Sequence, residues 1–166
     1  FGVGLKRIDS WSENTNMRVD PQIGETAIVV RPDVALWTND KIPDERALGR
    51  YCATVLRGKL DKTAHSKTPT ILLITLYAPI HSNGENSAWT AQEKCIDKHN
   101  ICDNQKELLT PFELLIEDLS ALIIKHPNKE VIIGGDFNVN FEKKSHAKHQ
   151  RILLDFAENH NLLNVL

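Results

Sequence analysis

Long apolar runs are missing from this chain of 166 residues, so no stretch reads as membrane-spanning. Cysteine is scarce, and Cys52, Cys95 and Cys102 form an odd, widely spaced set. Such a set excludes a disulfide framework and reads as reduced thiols in an intracellular protein, nuclear or cytoplasmic. A surplus of one charge is lacking too. The formal net charge of −2 creates no global basic field, so a nucleic-acid partner has to be held by a local patch. The N-terminus has no charged head followed by an apolar stretch, and no signal peptide is expected. There is no internal repeat and no low-complexity segment. What remains is 41% hydrophobic and 25% charged, an ordinary balance for one domain with a real core.

Residues 1 to 23 are polar and read as loop or edge material. Thr26 to Val30 reads as a strand ended by Pro32-Asp33, and Leu36-Trp37 as the start of a short second one. Tyr51 to Arg57 and Thr70 to Tyr77 are strands, with a polar hairpin loop from Gly58 to Pro69 and Pro79 as the stop. Strands in succession without helices between them predict an antiparallel part of a sheet. Residues 80 to 109 are charged and helix-compatible, and read as an exposed excursion from the core. Thr110-Pro111-Phe112-Glu113 is a capping box with proline at the first helical position. Phe112, Leu115, Ile116, Leu119, Leu122 and Ile123 then share one face, and Pro127-Asn128 ends the helix. A second helix is expected over 147–160, with Ile152, Leu153, Phe156 and Ala157 inward, and a last strand over 162–166. Helix, strand, helix, strand predicts parallel neighbours, hence a mixed sheet.

The centre of this pattern is Glu130 to Asn140. Val131 to Ile133 is apolar without alternation and reads as a strand buried on both faces. Gly134 and Gly135 allow a turn or a close approach. If the chain stays extended past them, Asp136 and Asn138 share a face at the strand's end, where open α/β sheets keep their sites. The plainer alternative is a turn, since Asp and Asn are common turn formers.

Gly135-Asp136-Phe137-Asn138 after a β-branched strand, with Leu76-Tyr77-Ala78-Pro79 closing an earlier one, resembles the endonuclease/exonuclease/phosphatase superfamily. Its members include DNase I, the abasic-site endonucleases, the inositol polyphosphate 5-phosphatases and the endonuclease domains of non-LTR retrotransposons. Gly24 to Val30, Leu48-Gly49-Arg50-Tyr51 and the closing run Phe156 to Val165 look most like the retrotransposon branch. The resemblance implies a DNase I-like α/β sandwich of two mixed sheets with helices outside, here one incomplete domain over 1–166 that carries the excursion at 80–109. It implies that Asp136 orients or deprotonates the attacking water, that Asn138 bonds the scissile phosphate and holds Asp136, and that Tyr77 supports the phosphate or the leaving oxygen. Arg50 matches an arginine near the phosphate side, and Asn140, Lys143 and Lys144 follow as phosphate contacts. The implied cofactor is Mg2+ or Mn2+, the implied partner DNA, with a fused reverse transcriptase and no membrane.

The departures concern the rest of that centre. The family's first strand and its metal-binding glutamate fall upstream of Phe1, and its Ser-Asp-His motif falls downstream of Leu166. None of the seven histidines takes the catalytic position. Ile80 stands where the family often has asparagine. Both ends therefore read as cut, with no metal ligand inside the chain, weak or absent activity, and marginal stability from open sheet edges. Two alternatives share these residues: a phosphatase acting on phosphoinositides or other small phosphoesters, and a decayed, non-catalytic remnant or scaffold.

Two further groups stand out. Cys95, His99 and Cys102 offer three zinc ligands at a spacing that fits no common structural site, and read better as incidental residues of an exposed helix. Lys143, Lys144, His146, Lys148, His149 and Arg151 form a basic cluster at a helix start, where positive charge opposes the helix dipole. That placement favours an anionic partner.

Overall fold

The computed structural model describes residues 6–10 (as backbone), 26–57, 70–103 and 107–163. Two sheets are present among them. Strands β1 (Lys6–Ser10) and β2 (Thr26–Val30) form an antiparallel ribbon with Ile8 opposite Ile28. Strands β3 (Ile42–Pro43), β4 (Tyr51–Arg57), β5 (Thr70–Tyr77) and β6 (Glu130–Asp136) form a mixed sheet in that order. The first three run antiparallel in succession, and β5 pairs β6 in parallel. Parallel pairing needs a long crossover. Helices α2 (Ala88–His99) and α3 (Pro111–Lys125) supply it, and α4 (Ala147–Asn159) follows β6.

Alternation along each strand decides the layers. Tyr51, Ala53 and Val55 of β4 and Leu72, Ile74 and Leu76 of β5 face Phe112, Leu115, Leu119 and Leu122 of α3 and Phe156 of α4. The opposite face carries Cys52 and Leu73, which meet Ile28 and Val30 of β2. Helices therefore cover one side of the sheet, and the ribbon lies on the other. The capping box is formed: Glu113 N donates to Thr110 Oγ1, and Thr110 N donates to Glu113 Oε2 at 2.8 Å.

Several elements differ from expectation. Leu36-Trp37 is not a strand, because a short helix α1 (Pro32–Ala35) starts at the proline. The edge strand β3 was carried by only two residues, Ile42 and Pro43, too few for any periodic signal. Strand β2 pairs with β1 from residues 6–10, not with β4.

The stretch from 80 to 109 is not an exposed excursion. Trp89, Gln92 and Ile96 fall on one helical face and are 1–2% exposed, and Ala91, Cys95 and Leu109 join Leu48 and Leu114 in a second small core. A stripe this narrow is masked by the charges around it. Cys95 is thus a buried thiol, pushed up in pKa by that burial.

Val131 to Ile133 is buried on one face only. Val131 and Ile133 pack on the helix side, while Ile132 is 50% exposed on a strand that pairs only with β5 among the described residues. The expected hairpin loop at 58–69 lies outside the described residues, although the strands beside it are paired from Arg57 to Thr70. Of the strand expected over 162–166, Leu162 and Leu163 are irregular, and 164–166 lie outside the described residues.

Candidate functional site

The carboxyl ends of β5 and β6 come together because the parallel register runs to the last residue of both. Thr75 aligns with Gly134, Leu76 with Gly135 and Tyr77 with Asp136. Leu76 points into the helix-side core, so Tyr77 and Asp136 lie on the opposite face. Asp136 is exposed and Tyr77 half-buried. A glycine is required at 135. Its φ is +136°, and a Cβ there would sit 2.0 Å from the Leu76 carbonyl oxygen. Gly134 has no such need, since a Cβ there meets nothing within 4 Å.

Past Asp136 the chain turns instead of staying extended. Asn138 adopts a left-handed conformation with φ 51°, which asparagine tolerates better than most residues. The turn brings the pair together more tightly than strand alternation would. Asn138 N donates to Asp136 Oδ1 at 2.9 Å. The Asn138 side chain reaches back to β5, with Nδ2 donating to the Ala78 carbonyl at 2.6 Å. Ala78 N in turn donates to the Asp136 carbonyl at 2.8 Å. One residue, Ala78, thus clamps both the backbone of Asp136 and the amide of Asn138 through its own N–H and carbonyl. Pro79 follows it and stops the strand there. Of the two readings of Asp136-Asn138, the backbone follows the turn. Ala78 was quoted in the sequence motif, but its role as a clamp has no residue-type signal, because it acts through its backbone.

Arg50 is placed elsewhere. Its backbone carbonyl accepts from Tyr77 N at 2.8 Å, but its side chain turns under the sheet and has no exposed surface. Arg50 Nε and Nη2 donate to the two oxygens of Asp44 at 2.9 and 3.0 Å, and Nη2 also meets Asp118 of α3. Arg46 Nε reaches Asp118 as well, at 2.8 Å. Asp44 also accepts from the backbone N of Arg46 and of Arg50, which shapes the turn into β4. Burial alone would lower the Arg50 pKa, but the carboxylates of Asp44 and Asp118 more than offset it and hold the guanidinium charged. Tyr51, beside them, is pushed well up by burial and by the Asp44 charge. The expected role of Arg50 as a phosphate ligand is therefore corrected: a guanidinium with no exposure, occupied by two carboxylates, is a structural cation. Asp118 carried the missed signal. It sits at core spacing between Leu115 and Leu122, where a carboxylate needs a buried partner.

Asn140, Lys143 and Lys144 are exposed on the loop that leaves β6. Asn140 organises that loop. Its Oδ1 accepts from Glu142 N at 2.8 Å, and its carbonyl accepts from Gln150 Nε2 at 2.6 Å. Gln150 Nε2 also reaches the Lys143 carbonyl at 3.1 Å. Lys143 and Lys144 make no ion pair among the described residues. Part of the basic cluster is structural: Lys148 Nζ meets Glu113 Oε1 at 2.7 Å and ties α4 to the cap of α3.

Sequence reasoning missed an aromatic group beside this loop. His149 stacks on Phe112 with ring centres 4.4 Å apart, and Trp89 lies between His149 at 6.0 Å and His81 at 4.9 Å. Burial lowers the His149 pKa, with the neighbouring His146 adding to the effect. No group of three His, Cys, Asp or Glu side chains among the described residues is arranged to hold a metal ion. No family model, no curated protein and no solved structure matches this chain.

Proposed function

We propose that this chain carries part of the active site of a magnesium-dependent phosphodiesterase, a retroelement DNA endonuclease with a DNase I-like sandwich. The observation that carries the reading is the convergence of Asp136, Asn138 and Tyr77 at adjacent strand ends, with the amide bonded to β5 and the carboxylate open to solvent. The ribbon laid on the bare face of the four-stranded sheet supports the two-sheet architecture.

Phosphodiester hydrolysis needs a water aligned and relieved of a proton, and donors for the charge that grows on the phosphoryl oxygens. Asp136 is the base or orienting group. One of its oxygens is held by Asn138 N, so the carboxylate is aimed, and the residue is exposed. Asn138 spends one amide hydrogen on Ala78 and keeps the second for a phosphate oxygen. Tyr77, directly opposite Asp136, supplies a hydroxyl donor. Lys143 and Lys144, both exposed, suit a phosphate backbone.

A magnesium ion that keeps several waters asks one or two carboxylates of its site, and among the described residues no group of three His, Cys, Asp or Glu side chains is arranged to hold one. The resemblance gives the metal to a glutamate, and no Glu of this chain stands in the matching context. Bound there, Mg2+ or Mn2+ supplies Lewis-acid stabilisation of the phosphoryl charge.

The test is a substrate panel on the protein that carries this chain, with Mg2+ present: supercoiled plasmid, an inositol polyphosphate and bis(p-nitrophenyl) phosphate. Plasmid nicking that exceeds release of inorganic phosphate supports the endonuclease. Phosphate release without nicking points to the small-phosphoester branch. Inertness toward all three overturns the enzymatic reading.

A further inference from the structure

The loop that leaves Asp136 and Asn138 is closed by a bond that exists in only one protonation state. Asn140 N donates to His146 Nδ1 at 3.2 Å. A backbone N–H can only donate, so Nδ1 must present its lone pair and carry no proton. The bond therefore requires the neutral imidazole. It sits inside a small closed ring. Glu142 N bonds the Asn140 side chain, His146 N donates to the Lys143 carbonyl at 3.0 Å, and Gln150 Nε2 bridges the Asn140 and Lys143 carbonyls. Gln150 ties the loop to α4, and the His146 imidazole is the acceptor of the ring that an added proton would turn into a donor.

We infer that His146 is a proton-operated latch on residues 140–150: neutral, it holds the segment after Asp136 and Asn138 closed; protonated, it releases it. The added proton takes the lone pair of Nδ1, which leaves the Asn140 N–H without its acceptor and facing a second donor.

The surroundings favour release once a proton arrives. In the sequence of the loop His146 follows Lys143 and Lys144, with Glu142 the one carboxylate of residues 137–146. Three residues on, His149 lies 6.4 Å away, ring to ring. His149 in turn faces Lys148 on α4, His81 on the segment after β5, and Glu113 on α3. Glu113 is already engaged by Lys148 and by Thr110. Trp89 of α2 presents its ring, and its indole N–H is taken by Glu93 at 2.6 Å. Positive groups therefore outnumber free carboxylates around the two imidazoles, and a second proton on His149 pushes in the same direction. The latch is a property of the loop and goes beyond the proposed activity. It stands whether or not Asp136 activates water.

The experiment is a 15N NMR titration of the chain from about pH 7.5 to about pH 5, the histidine range. In the unaltered chain, Nδ1 of His146 should resonate as an unprotonated acceptor at the upper limit. Protection of the Asn140 amide should fall about tenfold toward the lower one, the worth of one hydrogen bond. In His146→Asn the side-chain oxygen takes the place of Nδ1 and has no proton to gain, so protection should hold across the range. His149→Phe keeps the stack on Phe112 and should leave the Asn140 response in place. A protonated Nδ1 at the upper limit, an Asn140 amide indifferent to pH, or a response that survives His146→Asn overturns the latch.

Discussion

Arg50, just before β4, and Asp136, the last residue of β6, are charged residues at the same end of one sheet, and they do opposite things. Arg50 has no exposed side-chain surface and is enclosed by Asp44 and Asp118. Asp136 is exposed and has one oxygen bonded, by a backbone N–H two residues on. The first arrangement uses up its charge in holding the turn at 44–50 to β4 and α3. The second aims its charge and leaves it available. Position at a strand end is thus not enough to mark a functional residue; what decides is whether the charge is already spent.

The largest expected effect breaks the Arg50 side of this comparison. Arg50→Leu takes the guanidinium away from the buried Asp44 carboxylate and from Asp118, and should cost about 3–5 kcal/mol of stability in a denaturant melt. The double variant Asp44→Leu with Arg50→Leu removes both charges and should recover part of that loss, as replaced buried pairs often do. A double variant as unstable as the sum of its singles breaks the pairing account. Next comes Gly135→Ala. The left-handed backbone alone should cost about 1–3 kcal/mol, and the contact with the Leu76 carbonyl adds to it. Gly134→Ala is the matched control, expected to be neutral or mildly stabilising because its Cβ meets open space.

These variants also mark what was legible from residue types. The Tyr51–Arg57 and Thr70–Tyr77 strands, and the capped helix from Pro111, are strong local signals, and they fold as expected. Parallel pairing of β5 with β6 followed from the helices between them. The approach of Asp136 to Tyr77 depended on that pairing and was implied by resemblance, not by spacing. The buried face of α2 was hidden because only Trp89, Ala91, Gln92, Cys95 and Ile96 mark it, among many charges. The pairing of Arg50 was invisible for a different reason. Asp44 lies six residues away and Asp118 sixty-eight, so no local pattern joins them. A turn at Asp136-Asn138 was the plainer alternative in the sequence, and it is the conformation the chain takes, with Asn138 left-handed.

A smaller effect tests the helix that supports both regions. Thr110→Ala removes the N-cap of α3 and should cost about 1 kcal/mol. Glu113, in the same cap, would have its pKa raised by burial, but the bonds from Lys148 and Thr110 hold it below its ordinary value. Its folded-state pKa is therefore depressed. Its stabilisation is present above the ordinary glutamate range and is lost as pH falls through the depressed value. Glu113→Gln should flatten that acid limb of the stability profile, and an unchanged limb assigns it to other carboxylates.

The smallest expected effect on stability belongs to Asp136→Asn, and it is the measurement that bears most directly on the central claim. Plasmid nicking with Mg2+ is followed for the protein that carries this chain, alongside its denaturant melt. The account predicts a melt within about 0.5 kcal/mol of the unaltered protein, as for an exposed residue, and a nicking rate lower by about a hundredfold or more, the worth of a positioned base. Nicking that persists at the unaltered rate, or a loss that comes only with unfolding, contradicts it.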